Sequence, residues 1–183
     1  MPPIPRSKWT AAQRRAAREL AATPRGGVFG PFVPALRSPE YMSRLQRLGE
    51  YVRYHCALGP RLTEFAILLT ARAWTQQFEW MVHARAARAA GVPRAKIDAI
   101  AAGRRPARLS ASERVVYDFF GELERTRSVS DATYARASAA LGEQGVVDLV
   151  GVVGYYTTLA MLMNVARTPL PPGETPALRP LPP

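Results

Sequence analysis

Cysteine, histidine and lysine are scarce in this 183-residue chain, and each scarcity excludes a kind of site. Cys56 is the only cysteine, so the chain can form neither an intramolecular disulfide nor a CxxC redox pair. His55 and His83 are the only histidines, which excludes a metal site built from several imidazoles. Lysine occurs only at Lys8 and Lys96, so arginine supplies almost all of the positive charge behind a net charge of +11.

The chain also lacks the sequence features of a secreted, membrane-bound or nucleic-acid-binding protein. Its arginines are spread along the sequence and form no patch or stripe, so we expect no nucleic-acid partner. The first residues contain no uninterrupted apolar run, and a lone thiol fits a reducing compartment, so we expect a cytoplasmic protein. The longest apolar stretch, residues 145–164, contains Asp148, two tyrosines and two threonines, which favours a buried helix and no membrane contact.

Strand patterns are missing as well. No stretch alternates apolar and polar residues with a period of two, whereas apolar residues recur at helical spacing through most of the chain. We therefore predict an all-α fold of seven or eight helices in a single domain. The predicted helix boundaries are marked by capping residues and glycines, namely Ser7 or Thr10, Ser38, Gly59, Gly91, Gly103, Ser110, Ser130 and Gly142.

The chain divides into three parts. Residues 1–24 are predicted to form an N-terminal helix, residues 25–166 the main helical domain, and residues 167–183 a proline-rich C-terminal tail. The tail cannot form a core element, so we expect either an extended arm or a disordered segment. After the first helix, a loop rich in glycine and proline carries Phe29 and Phe32, and its apolar content predicts that it covers the core or lines a cavity.

Candidate catalytic residues lie in the stretch 61–90, which is predicted to be helical. Gln76, Glu79 and His83 follow one another at i, i+3 and i+7, so a helix places them on one face. An imidazole titrates near neutral pH and a nearby carboxylate can orient it, so this group can transfer protons. The stretch forms either one helix or two helices with a break near Trp74. The alternative for Glu79 and His83 is an ordinary surface pair.

Glu64 joins this group only if the chain bends. On a straight helix its side chain points roughly 60–120° away from the other three, whereas a break in the helix would bring it in. Buried there among apolar residues, Glu64 would have a raised pKa and could act as an acid. One alternative is a salt bridge from Glu64 to Arg61 or Arg72. Another is a metal ion bound by Glu64, Glu79 and His83.

The spacing of these residues resembles that of a known family of helical proteins. Glu64 is followed by eleven residues, Gln76, two residues, Glu79, three residues and His83. The carboxymuconolactone decarboxylase family has, in its alkyl hydroperoxidase D branch, a glutamate and a histidine at the outer positions and two cysteines between them. Three further segments look like the decarboxylase-like branch: RGGVFGPFVPALRSPE, LGEYVRYHCALGPRLTEFAILLTARAW and VVDLVGVVGYYTTLAMLMN. The chain thus resembles a member of this family that lacks the CxxC pair.

The resemblance implies an all-helical, alkyl hydroperoxidase D-like fold that assembles as a trimer or hexamer, with the active site near subunit contacts. It also implies a reaction on a small lactone acid without a metal or an organic cofactor. In the peroxidase branch, the glutamate and the histidine relay protons to a thiol pair. Here Gln76 and Glu79 replace both cysteines, and Cys56 lies on another predicted helix, which disfavours peroxidase activity.

Roles for the candidate residues follow from this resemblance and from side-chain chemistry. We expect His83 to be the principal proton donor or acceptor, Glu79 to orient its ring, and Glu64 to act as an acid. The residues expected to bind the substrate are Gln76, Trp80, Phe29, Phe32 and Arg72, with Arg53 as the alternative arginine. The glutamine would hydrogen-bond a carbonyl or enolate oxygen, and the arginine would hold a carboxylate.

The predicted function is that of a lyase similar to carboxymuconolactone decarboxylase. It would perform general acid/base chemistry, namely decarboxylation, isomerisation or lactone opening, on a small unsaturated carbonyl or lactone acid. Its partners would be that small molecule and further copies of the same chain. The alternatives are a peroxidase or antioxidant activity of the family type and a non-catalytic binding protein on the same scaffold.

Overall fold

The computed structural model describes residues 1–180, and within this range the chain contains helices and connections but no strand. One short 3-10 turn, Arg6–Lys8, precedes eight α-helices: α1 Ala11–Ala21, α2 Phe32–Ala35, α3 Pro39–Tyr54, α4 Gly59–Ala73, α5 Gln77–Ala89, α6 Arg94–Ala101, α7 Ala111–Thr126 and α8 Asp131–Ala166. The predicted all-α class is confirmed.

Reciprocal capping boxes fix where two of the helices begin. Thr10 and Gln13 exchange hydrogen bonds at the start of α1, and Ser110 and Glu113 do the same at the start of α7. Each pair satisfies two backbone N–H groups that have no partner inside their helix. The cap of α1 is therefore Thr10 and not Ser7.

Helix α4 lies at the centre of the fold. Every residue from Thr63 to Arg72 is buried, and the helix packs against α3, α5, α6, α7 and α8. A helix that is apolar on all sides is stable only when other elements surround it. The second half of α8 packs beside α4 and buries Leu149 and Val152 completely. A smaller apolar cluster joins α1 to α3.

Helix α8 is interrupted at Gly142, where φ is 72° and the backbone leaves the helical region. Glycine adopts this positive φ without the steric cost of a Cβ atom. The predicted helix end at Gly142 is thus a kink between two consecutive helical segments. An 18-residue window of α8 is apolar enough to cross a membrane by length and composition, but 56% of that window is buried within the protein.

The stretch that carries the candidate catalytic residues is two helices, which was one of the two predicted alternatives. Helix α4 ends at Ala73, and Thr75 has a φ of 47°, which turns the chain away from the helix axis. Gln76 then caps α5, because its Oε1 accepts hydrogen bonds from the backbone N–H groups of Phe78 at 2.7 Å and Glu79 at 3.1 Å. Helix α5 consequently packs back against α4.

The C-terminal tail, as far as residue 180, is an ordered extended arm that lies on α5. The side chain of Gln77 donates a hydrogen bond to the carbonyl oxygen of Leu178 at 2.7 Å and accepts one from its N–H at 3.0 Å. Leu178 itself is buried, and Glu174 pairs with Arg85 at 2.5 Å. The rest of the predicted tail, residues 181–183, lies outside the described residues.

Candidate active site

A buried hydrogen bond between Glu64 and His83 forms the centre of the candidate site. Oε2 of Glu64, on α4, lies 2.7 Å from Nδ1 of His83, on α5. The two side chains are 9% and 6% exposed, so the bond is shielded from water. The break between α4 and α5 makes this contact possible, because on one continuous helix the two residues would be several turns apart.

Arg53, on α3, contributes a positive charge to the same carboxylate. Its Nε lies 3.4 Å from Oε1 of Glu64. Burial raises the pKa of Glu64, but the hydrogen bond from His83 and the charge of Arg53 outweigh burial and hold that pKa below its ordinary value of 4.5. The expected raised pKa was therefore wrong, and Glu64 is an ionised acceptor. Its salt-bridge partner is Arg53 and neither Arg61 nor Arg72.

His83 is a neutral imidazole at neutral pH. Burial lowers its pKa below 6.5, and the nearby charges of Arg53 and Arg25 act in the same direction, against the opposing effect of Glu64. In the neutral ring, Nδ1–H donates to the Glu64 carboxylate and Nε2 carries the free lone pair. The edge-on ring of Tyr156, with its centroid at 4.8 Å, packs against the imidazole.

Glu79, one turn before His83 on α5, is a buried carboxylic acid. It is 2% exposed, and neither of its oxygens has a hydrogen-bond partner within residues 1–180. Burial alone raises its pKa well above 4.5, which favours the neutral, protonated side chain. Glu79 was expected to orient the ring of His83. The structure corrects this, because Glu64 makes that hydrogen bond.

A cavity of about 40 Å³ opens beside these groups. Its lining combines the acid, the imidazole, two arginines and a mostly apolar wall, and consists of Arg25, Phe29, Pro31, Phe32, Arg53, Phe78, Glu79, Val82, His83, Tyr156, Leu159 and Met163. Phe29 and Phe32 thus lie where a ligand would contact them. Phe29 is 43% exposed and lies in the loop between α1 and α2, at the edge of the cavity. Three predicted substrate contacts are not in this lining.

Gln76, Trp80 and Arg72 lie elsewhere in the fold. Oε1 of Gln76 accepts the hydrogen bonds that cap α5, and Nε2 donates a hydrogen bond to Oδ1 of Asn164 at 3.0 Å. Gln76 is therefore a structural residue. Trp80 is on a face of α5 that packs into the main apolar core. Arg72 lines two other cavities, next to α6 and α7 and the C-terminal arm. The expectation that these residues line the substrate cavity was wrong.

Arg25 is a site residue that the sequence reasoning did not select. Its guanidinium lies 5.5 Å from the ring centroid of Phe32 and 5.8 Å from that of Tyr54, and its Nη1 is buried without an acceptor among the described residues. The available signal was a cation inside an apolar, glycine-rich loop. Tyr155, on α8, lies in the main apolar core and does not line the cavity, and burial raises its pKa to about 12.

Gly49, on α3, leaves space for the side chains of Arg25 and Tyr155. A Cβ atom at this position would lie 2.0 Å from the hydroxyl oxygen of Tyr155 and 2.8 Å from Nη2 of Arg25. Only glycine therefore allows the two polar groups to approach α3 so closely.

Residues 1–180 contain no group of three or more His, Cys, Asp and Glu side chains arranged to hold a metal ion.

Comparisons with known proteins agree with this architecture. The sequence model of the carboxymuconolactone decarboxylase family matches residues 39–121. No curated protein sequence matches the chain at a significant level. A protein of unknown function from Agrobacterium tumefaciens, described as a candidate AhpD protein of antioxidant defence, superposes with a TM-score of 0.66 and 18% identity over 75% of this chain and 94% of its own.

The debrominase Bmp8 has a similar structure. Its apo form gives a TM-score of 0.71 at 11% identity and covers 93% of this chain and 91% of its own. A cysteine-to-alanine variant of Bmp8, solved in complex with 2,3,4-tribromopyrrole, gives the same score and identity and covers 93% of this chain and 90% of its own. These structures establish an AhpD-like fold and, together with the matched segment, confirm the family resemblance seen in the sequence.

Proposed function

We propose that this chain, whose residues 39–121 match the sequence model of the carboxymuconolactone decarboxylase family, is an enzyme that performs general acid/base chemistry without a cofactor. Its substrate would be a small unsaturated carbonyl or lactone acid, and the reaction decarboxylation, isomerisation or lactone opening. The observation that carries the proposal is the unpartnered, protonated carboxyl group of Glu79 next to the neutral imidazole of His83 in one cavity.

The two groups form a complementary pair. His83 offers a lone pair at Nε2, while the carboxylate of Glu64 fixes the ring and stabilises the imidazolium that forms when a proton is taken up. Glu79 offers a proton. Because the residues are one turn apart on α5, an acid and a base face the same bound molecule. Burial raises the pKa of Glu79, which favours its protonated form, and lowers the pKa of His83, which favours its neutral form.

The charges around the cavity favour an anionic substrate. Arg25 and Arg53 are positive and Glu64 is negative, while Glu79 and His83 are neutral, so the site carries a net charge of about +1. A buried uncompensated charge is costly, and a carboxylate next to the unpaired Nη1 of Arg25 would remove that cost.

Proton transfer accounts for two of the candidate reactions, decarboxylation and isomerisation. In a decarboxylation, the bond between the carboxylate and the adjacent carbon breaks, and CO₂ leaves. The electron pair of that bond forms an enolate, which Glu79 protonates at carbon. In an isomerisation, Nε2 of His83 removes a proton from one carbon and Glu79 donates one to another. The cavity of about 40 Å³ holds only a few water molecules, so binding of an organic acid requires its lining side chains to move apart.

Proton NMR in D₂O tests the proposal directly. A panel of unsaturated carboxylic and lactone acids is incubated with the protein, and loss of signal or incorporation of deuterium is followed. We expect turnover of at least one acid by the wild type and by Glu174→Gln, a half-buried control that does not line the cavity, but not by His83→Ala or Glu79→Gln. Equal turnover by His83→Ala, in a variant that melts like the wild type, would contradict the proposal.

A peroxidase is the second candidate, because the Agrobacterium tumefaciens neighbour is described as a candidate antioxidant-defence protein. Such an activity would have to use Cys56, whose Sγ lies 3.3 Å from Oγ1 of Thr63 and which does not line the catalytic cavity. A coupled hydroperoxide assay on the wild type and Cys56→Ser decides between the candidates, since a rate that depends on Cys56 supports the peroxidase alone.

The proposed enzyme would assemble as a trimer or hexamer. Val147, Val150, Met161 and Val165 of α8 are exposed, as is Leu48 of the neighbouring helix α3. Because a monomer seldom leaves so many large apolar side chains in water on adjoining helices, this face is suited to contacts between copies. Light scattering after size exclusion should give a multiple of the 20.1 kDa chain mass, and Val150→Glu should reduce it.

A further inference from the structure

The guanidinium of Arg72 is a buried charge that the described part of the chain leaves unpaired. Arg72 lies in the last turn of α4 and is 5% exposed. Its Nε and Nη1 are buried, and neither finds an acceptor among residues 1–180. No ion pair in that range includes it either. Nη2 is not among the buried nitrogens, so the guanidinium keeps contact with the space around it, and an anion bound there would give Nε and Nη1 the acceptors that they lack.

Two cavities border this guanidinium, and neither shares a lining residue with the catalytic cavity. The first has a volume of about 190 Å³ and lies between α4, α6 and α7. The second, of about 490 Å³, lies between α4, α6 and the C-terminal arm. Arg72 is the residue common to both linings, so a ligand in either cavity can reach it.

The first cavity has a mostly apolar wall. Leu69, Ile100, Tyr117 and Phe120 contribute to it. Gly121 of α7 also faces open space, because a Cβ atom added there would meet no atom within 4 Å. Such a wall can hold an aromatic ring or a short hydrocarbon group against the helices, with the polar end of the molecule directed to Arg72.

The charges at the edges of the two cavities are mainly positive. Arg104 lines the first cavity and Arg179 lines the second. The single acidic residue in either lining is Asp98, and it already lies 3.6 Å from Nε of Arg94. The potential at Arg72 therefore favours a negative group and repels a cation.

We propose that Arg72 and the adjoining 190 Å³ cavity form a second binding site, for a small organic monocarboxylate with an apolar body. The planar guanidinium matches a carboxylate through two parallel hydrogen bonds, and its unpaired Nε–H and Nη1–H supply the donors. The apolar wall of the cavity would contact the apolar body of the ligand. An inorganic phosphate would leave this wall uncovered and would gain nothing from it. The site is independent of the catalysis proposed for Glu79 and His83.

Calorimetric titration of the full chain with benzoate tests this site, with benzamide as the uncharged analogue of the same shape. We expect the wild type to bind benzoate at least about tenfold more tightly than benzamide, as charged hydrogen bonds predict. Arg72→Met should weaken benzoate binding by a similar factor. Gly121→Leu should do the same while leaving the guanidinium in place, because the new side chain fills the cavity.

Arg88→Met is the matched control, because it removes an exposed arginine of α5 that lines none of these three cavities. It should leave benzoate affinity unchanged. Three results would overturn the proposal: no benzoate binding by the wild type, affinity retained in both Arg72→Met and Gly121→Leu, or affinity lost in Arg88→Met. Arg72→Met should melt no lower than the wild type without ligand, since it removes an unpaired charge. Should it fail to fold, Gly121→Leu decides the question.

Discussion

Glu64 and His83 are 19 positions apart in the chain, yet Oε2 of one lies 2.7 Å from Nδ1 of the other. The contact depends on the turn at Thr75, which lets α5 pack against α4. Both side chains are buried, and a third group, Nε of Arg53, lies 3.4 Å from the same carboxylate. A proton acceptor held in this way has a fixed tautomer and a fixed orientation before any ligand binds.

Removing members of this pair should affect turnover in a graded way. His83→Ala deletes the proposed base and should lower kcat by about 10²- to 10⁴-fold, the usual contribution of a positioned general base. Glu64→Gln keeps an oxygen that can accept from Nδ1 but removes the charge that stabilises imidazolium, so its loss should be smaller. Steady-state kinetics on the active acid measures both effects. A larger loss in Glu64→Gln than in His83→Ala would contradict these roles.

The pH dependence of kcat/KM should report the same two groups. The reaction needs neutral His83, and burial lowers its pKa below 6.5, so activity falls only when the pH drops below that lowered value. It also needs protonated Glu79, and burial raises its pKa well above 4.5, so activity falls again when the pH exceeds that raised value. A flat wild-type profile over the range in which the protein is folded would refute both assignments.

Gly49 and Gly121 are interior glycines of two helices, and replacing each by alanine should have opposite effects on stability. At Gly49 the new methyl group would lie 2.0 Å from the hydroxyl oxygen of Tyr155, so the free energy of unfolding should fall by about 1–3 kcal/mol. At Gly121 the methyl group meets no atom within 4 Å, so helix propensity alone should raise that free energy by about 0.5–1 kcal/mol. Urea denaturation of both variants checks the pair, and the same sign for both would be inconsistent with the packing.

Glu113, at the start of α7, should make the fold sensitive to acid. Burial raises the pKa of its carboxyl group, but Lys96, Arg61 and the N–H of Ser110 outweigh burial and lower that pKa from 4.5 to about 2. A carboxyl group whose pKa is lower in the folded state stabilises the protein above pH 4.5. That stabilisation, about 3 kcal/mol at most, is lost as the pH falls towards 2.

The Glu113→Gln variant isolates this contribution. At neutral pH it should be less stable than the wild type, since the buried amine of Lys96 loses its charged partner. The difference in unfolding free energy between the two proteins should shrink as the pH is lowered through the same window. Thermal melting at several pH values measures it, and a difference that stays constant down to pH 2 would show that Glu113 is not the titrating group.

Local signals predicted the helices well. Capping boxes, glycine stops and apolar spacing act within a few residues, so they can be read directly from the sequence. They correctly gave the all-α class, the start of α7 at Ser110 and a break at Gly142. They left the break near Trp74 undecided, because Gln76, which caps α5, is of a residue type that favours helix interiors and seldom serves as an N-cap.

Contacts between helices were predicted less well. The i, i+4 spacing suggested that Glu79 orients His83, whereas Glu64 on the neighbouring helix does so. The same spacing put Gln76 in the substrate cavity, although its amide caps α5. Arg25 was passed over because its loop has no periodic pattern that would indicate where its side chain points.

The sequence by itself determined the helical class, most helix boundaries, the family resemblance and the three residues Glu64, Glu79 and His83 as a chemical group, because these depend on residue type and short-range spacing. Only the tertiary structure decided which carboxyl group is ionised, which holds its proton and which arginine faces the catalytic cavity. Those properties arise from burial and from the packing of helices distant in the chain. Neither is encoded in any local pattern of residues.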